Sequence, residues 1–120
     1  MNSFNQFPMA YIKFLDLVQS KKAMPLFPRL EPSEERILNQ LAVQWNLGLR
    51  LTICQAKEAS AQACPKTFQR HLGKLAEKGL ITFQNQGADQ RGRCILPTPL
   101  ANQYFTQMGH CLQMASRILQ

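Results

Sequence analysis

The side chains best suited to a chemical role are long, polar and mostly basic, and they recur within residues 65–78. On a helix they would share one face, which comprises Lys66, Gln69, Arg70, Gly73, Lys74 and Glu77. The opposite face carries the apolar stripe Phe68, Leu72, Leu75 and Ala76. Because Lys, Arg and Gln reach base edges and phosphates, the polar face suits the floor of a DNA major groove. A solvated helix face is the alternative, and this segment alone does not decide between the two.

Local sequence features indicate where this helix begins and ends. Pro65 suits the first helical position, where its missing N–H costs no hydrogen bond, and Cys64 would be the N-cap. Gly79 follows Lys78 and tolerates the left-handed conformation in which many helices end. The sequence therefore predicts a helix over residues 65–78.

Two β-prone runs follow this helix, at residues 80–85 and 93–97. They flank the polar loop QGADQRG, so the sequence predicts a hairpin with a basic tip. A helix-turn-helix followed by such a hairpin is the winged helix arrangement. In it the second helix enters the major groove, while the wing lies along the DNA backbone or in the minor groove.

The first helix of the motif is predicted just upstream. Thr52 can cap a helix that runs through about Ser60, and residues 61–63 would form the turn. Residues 49–53 indicate a short strand that could pair with the wing. A further helix is predicted to end near Asn46, with Ser33 as its N-cap.

Helices are also predicted at the two ends of the chain, over residues 8–21 and 99–120. The apolar stripe of the second is longer than a compact core can cover, which leaves a face for another subunit. The residues assigned to this dimer face are Tyr11, Phe14, Leu15, Val18, Tyr104, Met108, Leu112, Ala115, Ile118 and Leu119. Packing of the two terminal helices on each other within one subunit is the alternative.

These elements predict a single domain over residues 1–120, with the winged helix core at 30–98. The expected fold class is mainly α with a small β-hairpin, an α+β winged helix-turn-helix. The N-terminal helix at 8–21 and the C-terminal helix at 99–120 would flank that core as dimerisation helices.

Four short motifs follow one another between residues 30 and 105. The pair Leu51-Thr52 opens the helix-turn-helix, and LGKLAEKGLI runs from the second helix into the wing. Asp89, Arg91 and Arg93 lie in the wing, and PTPLANQYF begins the last helix. In these motifs and in their order the sequence resembles the MarR-type winged helix-turn-helix transcriptional regulators. The resemblance implies a DNA-binding regulator in which Asp89 orients a wing arginine and does not itself touch DNA.

Such a regulator would contact double-stranded DNA with basic and polar side chains from both helices of the motif and from the wing. The residues assigned to this surface are Lys57, Lys66, Thr67, Gln69, Arg70, Lys74, Arg91 and Arg93. A homodimer would present two such surfaces to the half-sites of a palindromic operator.

The charge balance favours an anionic partner. The net charge is +7 with a pI near 9.6, and the second half carries seven Lys and Arg against two acids. The first half carries seven against five, so the excess lies with the predicted motif, as expected of a nucleic-acid binder. Without a secretory signal or an apolar run near 18 residues, we expect a cytoplasmic protein with no membrane role.

The cysteines and histidines show no pattern typical of a site. The four thiols form no C-x-x-C pair and have no zinc-type spacing with His71 or His110, so we expect no cofactor, no metal and reduced thiols. A redox switch through one thiol is the alternative, and it requires a lowered pKa. His71 lies near Cys64 but has no evident third partner, so we expect a satisfied histidine at the core edge and no enzyme.

A second class of function stays open, because a fold does not fix a function. A winged helix could bind another protein through its terminal helices while its basic face is unused. Retention on a heparin or DNA column separates the two hypotheses. The sequence identifies neither an operator nor a small-molecule effector.

Overall fold

A computed structural model describes residues 5–60, 64–85 and 93–119 of the chain. Within these residues it forms five α-helices, one antiparallel hairpin and a C-terminal 3₁₀ turn. The elements are α1 (Gln6–Lys22), α2 (Pro32–Asn46), α3 (Ile53–Ala59), α4 (Pro65–Glu77), β1 (Ile81–Asn85), β2 (Arg93–Pro97), α5 (Pro99–Ser116) and the turn Arg117–Leu119. The chain divides into two compact units, Leu30–Ala101 and the pair of segments Met1–Arg29 and Asn102–Gln120.

The core of the first unit lies between α2 and α4. The side chains buried there are Ile37, Leu38 and Leu41 of α2 with Phe68, Leu72 and Leu75 of α4. Each large apolar side chain buried in this way stabilises the fold by about 1.5–3 kcal/mol. The packing therefore fixes which face of α4 is turned away from the core.

Helix α2 begins earlier than the sequence predicts, because its N-cap is Glu31 and not Ser33. The backbone N–H of Glu31 donates to Oε1 of Glu34 at 2.8 Å, in a capping box, and Pro32 occupies the first turn. Serine is the commoner cap, so residue preference pointed to the wrong position. The predicted end of α2 is confirmed by Gly48, which has φ +80°.

Helix α3 is capped as predicted by Thr52. The backbone N–H of Gln55 donates to the Thr52 hydroxyl at 3.2 Å, and the Thr52 N–H donates to the Gln55 side chain at 3.0 Å. This reciprocal capping box satisfies two N–H groups that the helix leaves unpaired. The side chain of Gln40 on α2 donates to the Ala59 carbonyl and so ties the end of α3 to α2.

Strand β1 pairs with β2 in an antiparallel register that sets Phe83 opposite Ile95. The N–H of Ile95 donates outside the hairpin to the Leu51 carbonyl at 2.9 Å, and its carbonyl accepts from Nε1 of Trp45 at 3.0 Å. The middle of strand β2 is thus held by α2 and by the segment before α3.

Residues 49–53, predicted as a short strand, pair with the hairpin at one point. Thr52 forms an isolated bridge with Cys94. No longer strand forms there because the backbone enters α3 directly after Thr52.

The second unit contains α1 and most of α5. No residue of α1 is buried, and α1 packs against the turn Arg117–Leu119. On α5, Tyr104 is buried and its ring lies 5.4 Å from the ring of Phe27, centroid to centroid. Among the described helices, none has the length and apolar character needed to span a membrane.

Candidate nucleic-acid interface

Helix α4 separates polar from apolar side chains as the sequence predicts. Its buried face consists of Phe68, His71, Leu72 and Leu75. The exposed residues are Lys66, Gln69, Arg70, Lys74 and Glu77. The helix is continuous through Gly73, so these side chains form one polar and mainly basic surface.

The N-terminus of α4 carries an exposed thiol. Cys64 is the N-cap, as predicted, and its thiol is exposed. The Thr67 hydroxyl lowers the pKa of the Cys64 thiol, and the backbone N–H groups of Thr67 and Lys66 and the charge of Arg70 act in the same direction. Thr67, one of the predicted DNA contacts, is half-buried.

The C-terminus of α4 is held by an ion pair that the sequence did not indicate. Nζ of Lys78, the C-cap, lies 2.5 Å from Oε1 of Glu34, whose side chain is 0% exposed. Burial raises the pKa of the Glu34 carboxyl, but hydrogen bonds from Lys78 and Glu31 and the charges of Lys78 and Lys74 outweigh it and lower the pKa. Lys78 therefore helps to hold α4 in position through this ion pair.

His71 belongs to the buried face of α4 and is 6% exposed. Its Nδ1 atom is buried and has no hydrogen-bond partner among the described residues. The expectation that His71 has all its hydrogen-bonding groups satisfied is therefore wrong for this nitrogen.

The wing contributes one described basic residue, Arg93, at the start of β2. Its guanidinium carbon lies 5.4 Å from the ring centroid of Phe83, a diagonal neighbour on the paired strand. Stacking on an aromatic ring leaves the in-plane N–H groups of arginine available to an anion. The other predicted wing residues, Asp89 and Arg91, lie outside the described residues.

The remaining predicted DNA contact, Lys57, is half-buried on α3. The structure thus brings Lys66, Gln69, Arg70 and Lys74 together on one exposed surface and places Lys57, Thr67 and Arg93 on neighbouring parts of the same unit. Sequence patterns did not indicate three residues that support this surface, Glu34, Lys78 and Phe83. Each acts through a contact with a residue in another element.

The residues assigned to a dimer face differ in exposure. Tyr11 and Leu112 are 62% and 61% exposed. Leu15 and Leu119 are also exposed, and Phe14, Val18, Met108 and Ile118 are half-buried. Tyr104 and Ala115 are buried within the chain itself, so the structure corrects their assignment to a face open to a second subunit.

The order of helices and the hairpin packed after α4 define a winged helix-turn-helix fold, the fold of the MarR-type transcriptional regulators. A MepR variant from S. aureus shares it, with 17% identity, a TM-score of 0.66, and coverage of 99% of this chain and 81% of that one. A MarR-like transcriptional regulator from Thermotoga maritima shares it with 11% identity, a TM-score of 0.66 and the same two coverages, 99% and 81%.

BpsR from Bordetella bronchiseptica, whose DNA binding is regulated by 6-hydroxynicotinic acid, shares the fold at 18% identity and a TM-score of 0.51. That match covers 92% of this chain and 80% of BpsR. By sequence, the chain matches no protein-family profile and no curated protein.

Proposed function

We propose that this chain is a transcriptional regulator that binds double-stranded DNA, with α4 in the major groove and the hairpin against the backbone or minor groove. The observation that carries the proposal is the exposed polar face of α4, with Lys66, Gln69, Arg70 and Lys74 opposite a fully packed apolar face. Arg and Gln can form bidentate hydrogen bonds with guanine and adenine, and lysines neutralise phosphates. The winged helix fold and the net charge of +7 support the same function.

Salt dependence tests this electrostatic proposal. With roughly 6–10 phosphate contacts per dimer, the affinity for a duplex should fall about 10³- to 10⁵-fold between 50 and 200 mM salt. Fluorescence anisotropy with a labelled duplex measures it. An affinity that is nearly constant over this range would refute the proposal.

Arg70 and Arg93 should have different roles in this complex. Arg70 lies on the outward face of α4, so Arg70→Ala should cost about 1–3 kcal/mol on a preferred site and relax discrimination at one base pair. Arg93→Ala should weaken binding to all sequences evenly and lower the salt slope by about 1. Both variants would be titrated against a duplex selected by the wild type and against a scrambled one. Equal losses on both duplexes for Arg70→Ala would assign that residue to phosphate.

We also propose that α1 and α5 form a twofold homodimer. A largely apolar groove of 270 Å³ lies between them, lined by Ala10, Tyr11, Phe14, Leu112, Ser116 and Leu119, while Ala115 is 3% exposed and contributes little of its surface. Exposed apolar side chains continue along α1 at Met9, Ile12 and Leu15. A second copy of these helices would cover this surface and set two α4 helices on two half-sites.

Sedimentation at tens of micromolar protein tests the dimer. Leu112→Glu should give monomers because it places a charge in the interface. Gln103→Glu, an exposed change on the opposite side of α5, is the control and should remain dimeric. A monomeric wild type would refute the dimer, and with it the two-half-site arrangement.

The exposed apolar surface of α1 also supports a second candidate function, in which the winged helix binds another protein through its terminal helices. A heparin or DNA column discriminates between the candidates. Early elution in low salt would favour this second function, and retention with elution at high salt favours DNA binding.

A further inference from the structure

Gly73 lies at the centre of the exposed face of α4. At helical spacing it follows Gln69 and Arg70 by one turn and precedes Glu77 by one turn. Long side chains therefore surround a position that has no side chain, and the backbone of α4 forms the floor of a shallow trough there.

Among residues 5–60, 64–85 and 93–119, no contact requires a glycine at this position. Gly73 has ordinary helical backbone angles, and a Cβ atom built on it would meet no described atom within 4 Å. Gly79 is different, because its φ of +80° ends the helix and a Cβ there would lie 3.6 Å from Cδ2 of Leu100. Glycine inside a helix is less favourable than alanine, so position 73 lowers the stability of α4 without a steric need.

We infer that Gly73 is the point at which the DNA approaches the backbone of α4 most closely, so that the missing side chain determines how deeply the helix enters the major groove. The inference rests on the proposed function. Glycine commonly marks a place where another backbone or a ligand comes near. Gly73 is half-buried between its neighbours, a Cβ atom there would meet open space, and the exposed Arg70 and Lys74 beside it can reach the DNA on either side.

This role affects base recognition more than phosphate binding. A methyl group at position 73 would hold α4 away from the groove floor, where hydrogen bonds to base edges require close approach. Lys66 and Lys74 have long flexible side chains and can still reach phosphates from the displaced helix. Replacing Gly73 should therefore reduce discrimination between sequences more than it reduces affinity for DNA in general.

The test compares Gly73→Ala and Gly73→Leu with Gly109→Ala. Gly109 lies within α5 and, like Gly73, would place a Cβ in open space, so both alanine variants should raise the denaturant midpoint of unfolding. The second measurement is the ratio of affinities for a duplex selected by the wild type and a scrambled duplex. We expect this ratio to fall about 5- to 50-fold for Gly73→Ala and further for Gly73→Leu, as an overpacked contact would cause. It should be unchanged for Gly109→Ala.

An unchanged ratio for Gly73→Ala, in a protein that binds the selected duplex tightly, would overturn the inference and leave the proposed function intact. A lowered denaturant midpoint for Gly73→Ala would also overturn it, since the glycine would then be required by the fold. If the wild type bound no duplex at all, the proposed function and this inference would fail together.

Discussion

Replacement of Lys78 by methionine should destabilise the protein in a pH-dependent way. Methionine keeps most of the side-chain volume but leaves the Glu34 carboxylate, which is 0% exposed, without its cation. Breaking a fully buried ion pair typically costs about 3–5 kcal/mol. Because the Lys78 side chain is 33% exposed, solvent screens this pair, and we expect a loss of about 1–3 kcal/mol at pH 7.

The pH dependence follows from the pKa of Glu34. In the wild type this pKa is lowered from 4.5, so the stabilising contribution is present above pH 4.5 and is lost as the pH falls through the folded-state pKa. Without Lys78 the pKa of Glu34 should rise, because burial, its largest single influence, is then opposed only by the hydrogen bond from Glu31 and the charge of Lys74. Protonation of Glu34 then removes the unpaired buried charge that destabilises the variant. The difference in unfolding free energy between the two proteins should therefore shrink as the pH falls.

Urea denaturation monitored by the fluorescence of Trp45, from pH 7 down to pH 4, measures this difference. The matched control is Lys66→Met, which removes an exposed lysine of the same helix and should change stability by less than about 0.5 kcal/mol. If Lys78→Met is no less stable than Lys66→Met at pH 7, or if the difference persists unchanged at pH 4, Lys78 does not stabilise the fold by compensating the charge of Glu34.

Two further measurements probe the ends of α4. Iodoacetamide should modify Cys64 more slowly in a Thr67→Val variant, because the Thr67 hydroxyl lowers the pKa of that thiol. Mass spectrometry measures the rate, with the exposed Cys54 as the internal control. An unchanged rate at Cys64 would contradict the effect of Thr67 on the thiol. Gly79→Ala should lower the unfolding free energy by about 1–2 kcal/mol, because Gly79 has φ +80°; urea denaturation that shows no loss would mean that the turn adjusts without strain.

Much of the motif was predictable because its determinants are local. Pro65 and Gly79 marked the ends of α4, and the spacing of Phe68, Leu72 and Leu75 identified its buried face. Thr52 marked the start of α3 for the same reason. Capping and helical periodicity depend on residues a few positions apart, so a single sequence contains them.

The contacts that position α4 and the wing could not be predicted, because their partners are distant in sequence. The ion pair between Lys78 and Glu34 joins residues that are 44 positions apart, so no local pattern indicates it. The ring of Phe83 likewise gains its partner, Arg93, only through the strand register. On α5 the sequence could not show that Tyr104 is buried and that its ring packs against Phe27, which lies far upstream in the chain.

The two outward hydrogen bonds of Ile95 attach the middle of strand β2 to α2 and to the segment before α3. Opening the hairpin alone would break neither the bond to Leu51 nor the bond from Trp45. The amide proton of Ile95 should therefore exchange with solvent only when β2 separates from the segment before α3, and not when the hairpin alone opens. A displacement of α2 would likewise be passed to the wing through Trp45, without any change in the hairpin's own pairing.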